Sequence, residues 1–382
     1  MKFKRYIAAF CSSALVFGLS FLLFPQTNAA KISTITDSSP SITTPVPTAT
    51  LAPDTSEDVS PEAPVTTTPD QSVSLATSTP APVTTQAPSN LELLTDDILD
   101  TPDVAIKDLV INYINAYYKN DYTTASSLVT HPDSLDASLM EKAAKNISKV
   151  DSIELYSNPG INSIHSIIYV SFSLYYNDIQ MYVPQFSEYY IVKQSDGSFR
   201  IHNTVLSLEE NEVFLQARKT DVVQRIAISS LIRRYHTACL VVNEPLLKQC
   251  VTDIDYLNFN FISSRYSVTE GFTDYNFVFY PGINEFDYII FVTHKEKIVL
   301  SDTPAPCMEY YFVDVSDMSG RPFVYLGITS LDTDAYCAAV IQSEEIQELA
   351  KQVDLDMQEV LRNDVDLKDF YQLLVSNSPK EE

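Results

Sequence analysis

Apolar residues recur along this chain with two different periods, and the change of period outlines the fold. Ile106, Val110, Tyr113 and Tyr117 return at helical spacing, and Asn120-Asp121 ends that run. Thr101 followed by Pro102 reads as the N-cap and first residue of this helix. A short apolar segment around Leu128 and a second helix near Ala137 to Ile147 come next. From Val150 the period drops to two. Ile168, Val170, Phe172 and Leu174 share one face of a strand, and Tyr169, Ser171, Ser173 and Tyr175 share the other. Pro159-Gly160 reads as a turn, Tyr189 to Val192 as the start of a further strand, and Ser195-Asp196-Gly197 as a hairpin turn before Phe199 to Val205. Helices followed by an antiparallel meander predict an α+β domain. The Tyr-rich alternate face is expected to line a concavity.

The same pattern returns further along. Ile106, Leu109, Val110, Tyr113 and Ala116 reappear 122 residues later as Ile228, Leu231, Ile232, Tyr235 and Ala238. Pro159-Gly160-Ile161-Asn162 matches Pro281-Gly282-Ile283-Asn284 at that spacing, and Ile167-Ile168-Tyr169-Val170 matches Ile289-Ile290-Phe291-Val292. Residue identity then favours a slip of one, which pairs Glu188-Tyr189-Tyr190 with Glu309-Tyr310-Tyr311 and Ser195-Asp196 with Ser316-Asp317. Two copies of one domain are predicted, 93–218 and 219–382, the second with a helical extension. Ser207-Leu208-Glu209-Glu210 is a capping box, and no Pro or Gly occurs from Ser207 to Asn243, so a helical junction should fix the two domains against each other. In the extension Ile346, Leu349, Val353, Met357, Val360 and Leu361 form an apolar stripe expected to pack on the second domain.

The first 92 residues read differently. Lys2, Lys4 and Arg5 precede an uncharged stretch from Ile7 to Phe24 and then small residues, the pattern of an export signal over 1–29. Cleavage after Ala29 releases the chain; without it, 18 apolar residues are just long enough to anchor it. Either outcome places the rest outside the cell. Residues 30–92 hold Ser/Thr runs and ten of the 21 prolines, with no aromatic residue and no glycine. Such a segment cannot offset its ordering entropy and is expected to be a disordered stalk, extended by polyproline II preference. A net charge of −25 excludes nucleic acid and leaves the uncleaved N-terminal segment as the only membrane contact.

Chemistry is sparse at the level of motifs. No Gly-x-Ser-x-Gly, His-Glu-x-x-His, Cys-x-x-Cys or Ser-x-x-Lys occurs, and seven glycines leave no phosphate-cradling loop. No catalytic residue, metal ligand or cofactor is assigned. Asp253-x-Asp255, Asp332-x-Asp334 and Asp364-x-Asp366 lack calcium-loop spacing and read as solvated loops. His165 and His202 are placed to meet across strands. Glu188 and Glu309, each beside two tyrosines, suit either a proton acceptor in a pocket or a hydrogen-bond acceptor at a strand end, the second being favoured. The four cysteines outside the export segment are even in number, which permits disulfides. Cys239 matches Tyr117 on the leading helix, and that argues for buried free thiols.

A leading helix with an aromatic end and Asn-Asp (Tyr113, Tyr117, Tyr118, Asp121, Tyr122), a short second helix and long antiparallel strands resemble the nuclear transport factor 2-like, or cystatin-like α+β, superfamily. Tandem copies behind a signal and a Ser/Thr/Pro stalk are similar to secreted surface proteins of Gram-positive Firmicutes. The resemblance implies cone-shaped domains, a sheet wrapped round a helix, and no catalytic residue carries over. If the cones are hollow, Tyr169, Glu188, Tyr190, His202, Glu309 and Tyr311 are the candidates to line them. The resulting expectation is an exported, non-catalytic binding or scaffold protein for an extracellular ligand, glycan or protein. The alternative is an isomerase- or hydrolase-type enzyme using one cone.

Overall fold

The structure, a computed structural model, describes residues 99–159, 164–284, 286–315, 320–327 and 330–377. The export segment, the stalk, the turn residues Gly160-Ile161-Asn162 and the Ser316-Asp317 pair lie outside the described residues. No described helix is long and apolar enough to cross a membrane.

The first domain runs α1 (Val104–Tyr118), α2 (Tyr122–Ser127), α3 (Ala137–Asn146), then β1 (Ile147–Pro159), β2 (His165–Tyr176), β3 (Met181–Lys193) and β4 (Phe199–His202). The strands pair antiparallel in that order, the meander predicted from the period change. Ile168, Val170, Phe172 and Leu174 do share one buried face, closed by Ile106, Leu109, Val110 and Ile114 of α1. We call this helix-covered side the inner face of the sheet. Two expectations are corrected. The Asp103 carboxylate, not Thr101, caps α1 by accepting the Ala105 N–H at 2.8 Å. Asp accepts as well as Thr, and with Pro102 buried the chain turns into the helix two residues later. Strand β3 starts at Met181, eight residues before Tyr189. Pro184 does not stop it because β4 pairs only with Tyr190–Lys193, so Pro184 stands on an edge where no ladder N–H is required.

Helix α4 (Leu208–Arg218) opens on the predicted capping box, with Ser207 and Glu210 each accepting the other's backbone N–H. Helix α5 (Asp221–Leu240) leads the second domain, followed by α6 (Glu244–Leu247), α7 (Phe259–Tyr266), β5 (Thr269–Pro281), β6 (Asp287–Ile298), β7 (Ala305–Asp314) and β8 (Phe323–Val324). This second sheet is again an antiparallel meander. Irregular features repeat as faithfully as regular ones. Asn120 and Val242 take positive φ, as do Ser152 and Asp274, each pair 122 residues apart. The bulges at Asp151/Glu154 and Thr273/Asn276 keep the same spacing and bend their strands alike.

The expected slip near the Glu-Tyr-Tyr triplets does not occur. Tyr189 pairs with Ile168 and Tyr311 with Ile290, so the 122-residue spacing holds through β3 and β7. Glu188 therefore corresponds to Tyr310, and Glu309 to Ser187. Because side chains alternate along a strand, Glu188 and Glu309 stand on opposite faces of their sheets.

On the outer face of the first sheet lie α4 and α5: Tyr169 and Tyr190 pack with Ala217 and Val223, and the Ser171 hydroxyl lies 3.2 Å from that of Ser230. Helix α5 is covered on both sides, since Ile228, Leu231 and Ile232 enter the core of the second sheet. The two domains thus share one helix, which fixes their orientation. The outer face of the second sheet is covered in the same way by α8 (Leu331–Ile341) and α9 (Glu344–Asn363). Even a side-chain bond repeats: Gln224 Nε2 donates to the Arg218 carbonyl at 2.8 Å and Gln347 Nε2 to the Ile341 carbonyl at 2.9 Å. The predicted stripe of α9 packs on the second domain, Ile346 and Leu349 near its start and Met357, Val360 and Leu361 against Val268 and Ile298. Helix α10 (Val365–Asn377) completes that contact through Leu367 and Phe370.

Candidate functional site

The six residues proposed from sequence do not form one site. Tyr169, Glu188 and Tyr190 alternate on the outer face of the first sheet, where Tyr169 is fully buried under α4 and α5 rather than lining a concavity. His202 pairs with Tyr190 across β3 and β4. His165 and His202 meet through that tyrosine: its hydroxyl lies 3.0 Å from His165 Nδ1, and its ring stands edge-on to His202 at 6.2 Å. Glu309 and Tyr311 point to the inner face of the second domain. The reason is the helix pair α4–α5, which converts the outer face of the first sheet into a second core. The acidic pairs are structural: Asp253 caps a 3-10 turn at the Asp255 N–H, Asp332 and Asp334 sit in the first turn of α8, and Asp364 caps α10 at the Leu367 N–H.

Glu188 sits at a cleft between the domains. Arg218 of α4 binds it with two guanidinium nitrogens, Nε donating to Oε1 at 2.8 Å and a terminal nitrogen to Oε2. The cleft has a volume of about 630 Å³, within the range of small-molecule sites. Its walls are Phe186 and Glu188 of β3, Phe214 and Arg218 of α4, and Arg234 of α5, and Arg321 and Phe323 close it from the second domain. Three arginines and one carboxylate thus line the cleft. Arg234 Nε donates to the Pro184 carbonyl at 2.9 Å, which fixes the direction of its guanidinium. Burial pushes the Arg234 guanidinium down, and the charge of Arg321 adds to the effect. An anion between the two would relieve that repulsion.

The inner face of the second domain holds a polar cluster that the sequence motifs did not reveal. His236 of α5 is fully buried, its Nδ1 2.9 Å from the Tyr275 hydroxyl and its Nε2 2.5 Å from the Tyr311 hydroxyl. Tyr311 in turn donates to Glu309 Oε2 at 2.6 Å, and His236 Nε2 lies 3.0 Å from the same oxygen. His294 of β6 packs its ring 5.1 Å from that of His236. Burial pushes the Glu309 carboxyl up, but the hydrogen bond and charge of His236 outweigh burial and hold it well below the usual carboxylate range. Burial pushes the His294 imidazole down to about 4, so it is neutral at physiological pH. Beside these, Arg265 of α7 forms a two-pronged ion pair with Glu296 at 2.8 and 2.9 Å, and Thr269 also donates to Glu296. A signal for this cluster was present in the chain. Aligned at 122 throughout, His236 falls on Ile114, His294 on Phe172, Glu296 on Leu174 and Glu309 on Ser187. Charged or imidazole groups at positions that are uncharged, and mostly apolar, in the sister domain mark an inward polar site.

The four described cysteines, Cys239, Cys250, Cys307 and Cys337, are buried free thiols, as expected. Burial pushes Cys250 up to about 12 and Cys337 up to about 11, so neither is a thiolate at neutral pH.

No family model and no curated protein matches the chain. Among solved structures, the chain is similar to an NTF2-like protein involved in plasmid conjugation, at 10% identity and a TM-score of 0.21, over 56% of this chain and 91% of that one.

Proposed function

We propose that this is an exported, stalk-presented binding protein without catalysis, and that its ligand is a small organic anion held in the cleft between the domains. The carrying observation is a cavity of about 630 Å³ lined by Arg218, Arg234 and Arg321 and by a single carboxylate, Glu188, in a chain of net charge −25. Guanidinium groups recognise carboxylate and phosphate by paired N–H donors. Phe186, Phe214 and Phe323 offer an aromatic or apolar body a surface to lie on. The ligand class is therefore an aromatic carboxylate or phosphate ester. The N-terminal pattern supports an extracellular or cell-surface location, with membrane contact only through an uncleaved first segment and none with nucleic acid. The spacing of 122, held through bulges and positive-φ residues, supports reading the domains as tandem copies of one fold.

The test is calorimetric titration and thermal shift of the purified protein with benzoate, 4-hydroxybenzoate and phenyl phosphate. At least one should bind, Arg234→Met should weaken it about tenfold or more, and Arg321→Ala, at an exposed position, should weaken it several-fold without affecting folding. If none of the three binds, or if both variants bind like the parent, the cleft is not the ligand site. A second reading, an isomerase- or hydrolase-type enzyme inside the second domain, is favoured by one observation: His236, Glu309 and Tyr311 stand within mutual hydrogen-bond reach. Turnover by the purified protein that disappears in Glu309→Gln would establish it in place of the first.

A further inference from the structure

We infer that the second domain binds a divalent transition-metal ion, zinc by donor chemistry, through His236, His294 and Glu309. The three side chains come from three rigid elements, α5, β6 and β7, and their donor atoms lie within 4.8 Å of one another. Two imidazoles and one carboxylate are a donor set for zinc and neighbouring first-row ions, and not for calcium or magnesium, which take oxygen ligands. The inference stands apart from the anion cleft and does not depend on it.

A second observation points to a missing ligand. His294 is 2% exposed, yet neither of its ring nitrogens has a hydrogen-bond partner. A buried imidazole without any partner is costly unless something else takes its lone pair. His294 faces His236 and Glu309, whose own donors already converge. His236 is held by a hydrogen bond between Nδ1 and the Tyr275 hydroxyl, the kind of outer contact that fixes ring orientation in metal-binding histidines, and its Nε2 faces Glu309. The Tyr311 hydroxyl contacts both His236 Nε2, at 2.5 Å, and Glu309 Oε2, at 2.6 Å. Glu309 keeps 23% of its side-chain surface exposed while His236 keeps none, so an ion would enter past Glu309.

The sister domain supplies an internal control. Its equivalent residues Ile114, Phe172 and Ser187 show that this fold closes its core without any of the three.

The experiment is titration of the metal-free purified protein with Zn²⁺, followed by calorimetry and thermal unfolding, and with Co²⁺, followed by visible absorption. One Zn²⁺ should bind per chain with a raised Tm, and Co²⁺ should give the intense visible bands of a four-coordinate site with nitrogen ligands. His294→Phe, which installs the residue found at this position in the first domain, should abolish both signals. His202→Phe, outside the cluster, should leave both intact. If His294→Phe misfolds by circular dichroism, Glu309→Gln decides, since it keeps the side-chain shape and should weaken Zn²⁺ binding about tenfold or more. Absence of saturable Zn²⁺ binding, or equal binding by the parent and whichever of His294→Phe and Glu309→Gln folds, overturns the inference.

Discussion

The two domains place the same elements at the same spacing and invert where they put charge. The core of the first domain holds Ile114, Phe172 and Leu174, with half-buried Ala143 on α3; in the second, the equivalent positions carry His236, His294, Glu296 and Arg265. Outside, the relation reverses. Glu188 and Arg218 pair over the first sheet, where the second has Tyr310 packed in the apolar cluster that holds Ile341 of α8 and Ile346 of α9. The backbone accommodates either content, so topology does not require the buried charges of the second domain. A buried ion pair rarely stabilises more than a well-packed apolar core, and this contrast therefore separates residues kept for folding from residues available for chemistry.

Making one domain resemble the other tests the contrast. The largest effect is expected for Arg265→Ala alone. It strands Glu296, whose side chain is 1% exposed, and should cost about 3–5 kcal/mol in denaturant unfolding. Adding Glu296→Leu reproduces the first domain's Ala143 and Leu174 and should recover most of the loss. No recovery would mean the pair does more than satisfy itself. Next come the two equivalent tyrosines. Tyr311→Phe removes a hydroxyl bonded to both His236 and Glu309 and should cost about 1–3 kcal/mol. Tyr189→Phe, at the matching position opposite Ile168, should cost about 1 kcal/mol or less, and equal losses in the two would erase the asymmetry. Glu188→Gln weakens the pairing with Arg218 and makes the cleft more positive. Anion affinity measured by titration should rise while stability falls by about 1–2 kcal/mol. A drop in affinity would place the ligand elsewhere.

The smallest effect concerns the junction. Ser207→Ala should cost about 1 kcal/mol through loss of the capping box. The Ser207 hydroxyl and backbone N–H hold the Glu210 carboxyl below its usual range. A depressed folded value means that this contribution is present above the ordinary glutamate pKa of about 4.3 and is lost as pH falls through the folded value. Stability measured from neutral pH down to acid should show that small loss in the parent and a flatter profile in Ser207→Ala.

Local signals settled much of the architecture. Period changes located helices and strands, Ser207-Leu-Glu-Glu210 located the helical junction, and the spacing from Ile106/Ile228 to Ile168/Ile290 located the matching elements of the two helix-plus-sheet domains. These features depend on neighbours a few residues apart, and short-range geometry acts identically in any tertiary setting. The Glu-Tyr-Tyr match misled for a physical reason. Identity rewards three shared letters, whereas a strand is read by face, and a slip of one residue turns every side chain from the core to the opposite side.

What the chain's own pattern determined, then, is the element order, the α+β class, the two-domain spacing and the burial of the cysteines, because each follows from periodicity or composition. Only the tertiary structure decided which face of each sheet became a second core, since that depends on α4 and α5 folding back over β2 and β3. It likewise decided that Arg218, Arg234 and Arg321 converge on one cleft and that His236, His294 and Glu309 converge inside the second domain. Those residues belong to different elements, with no fixed spacing between them. Their meeting is a property of packing, which places distant side chains within a few ångströms and leaves no motif along the chain.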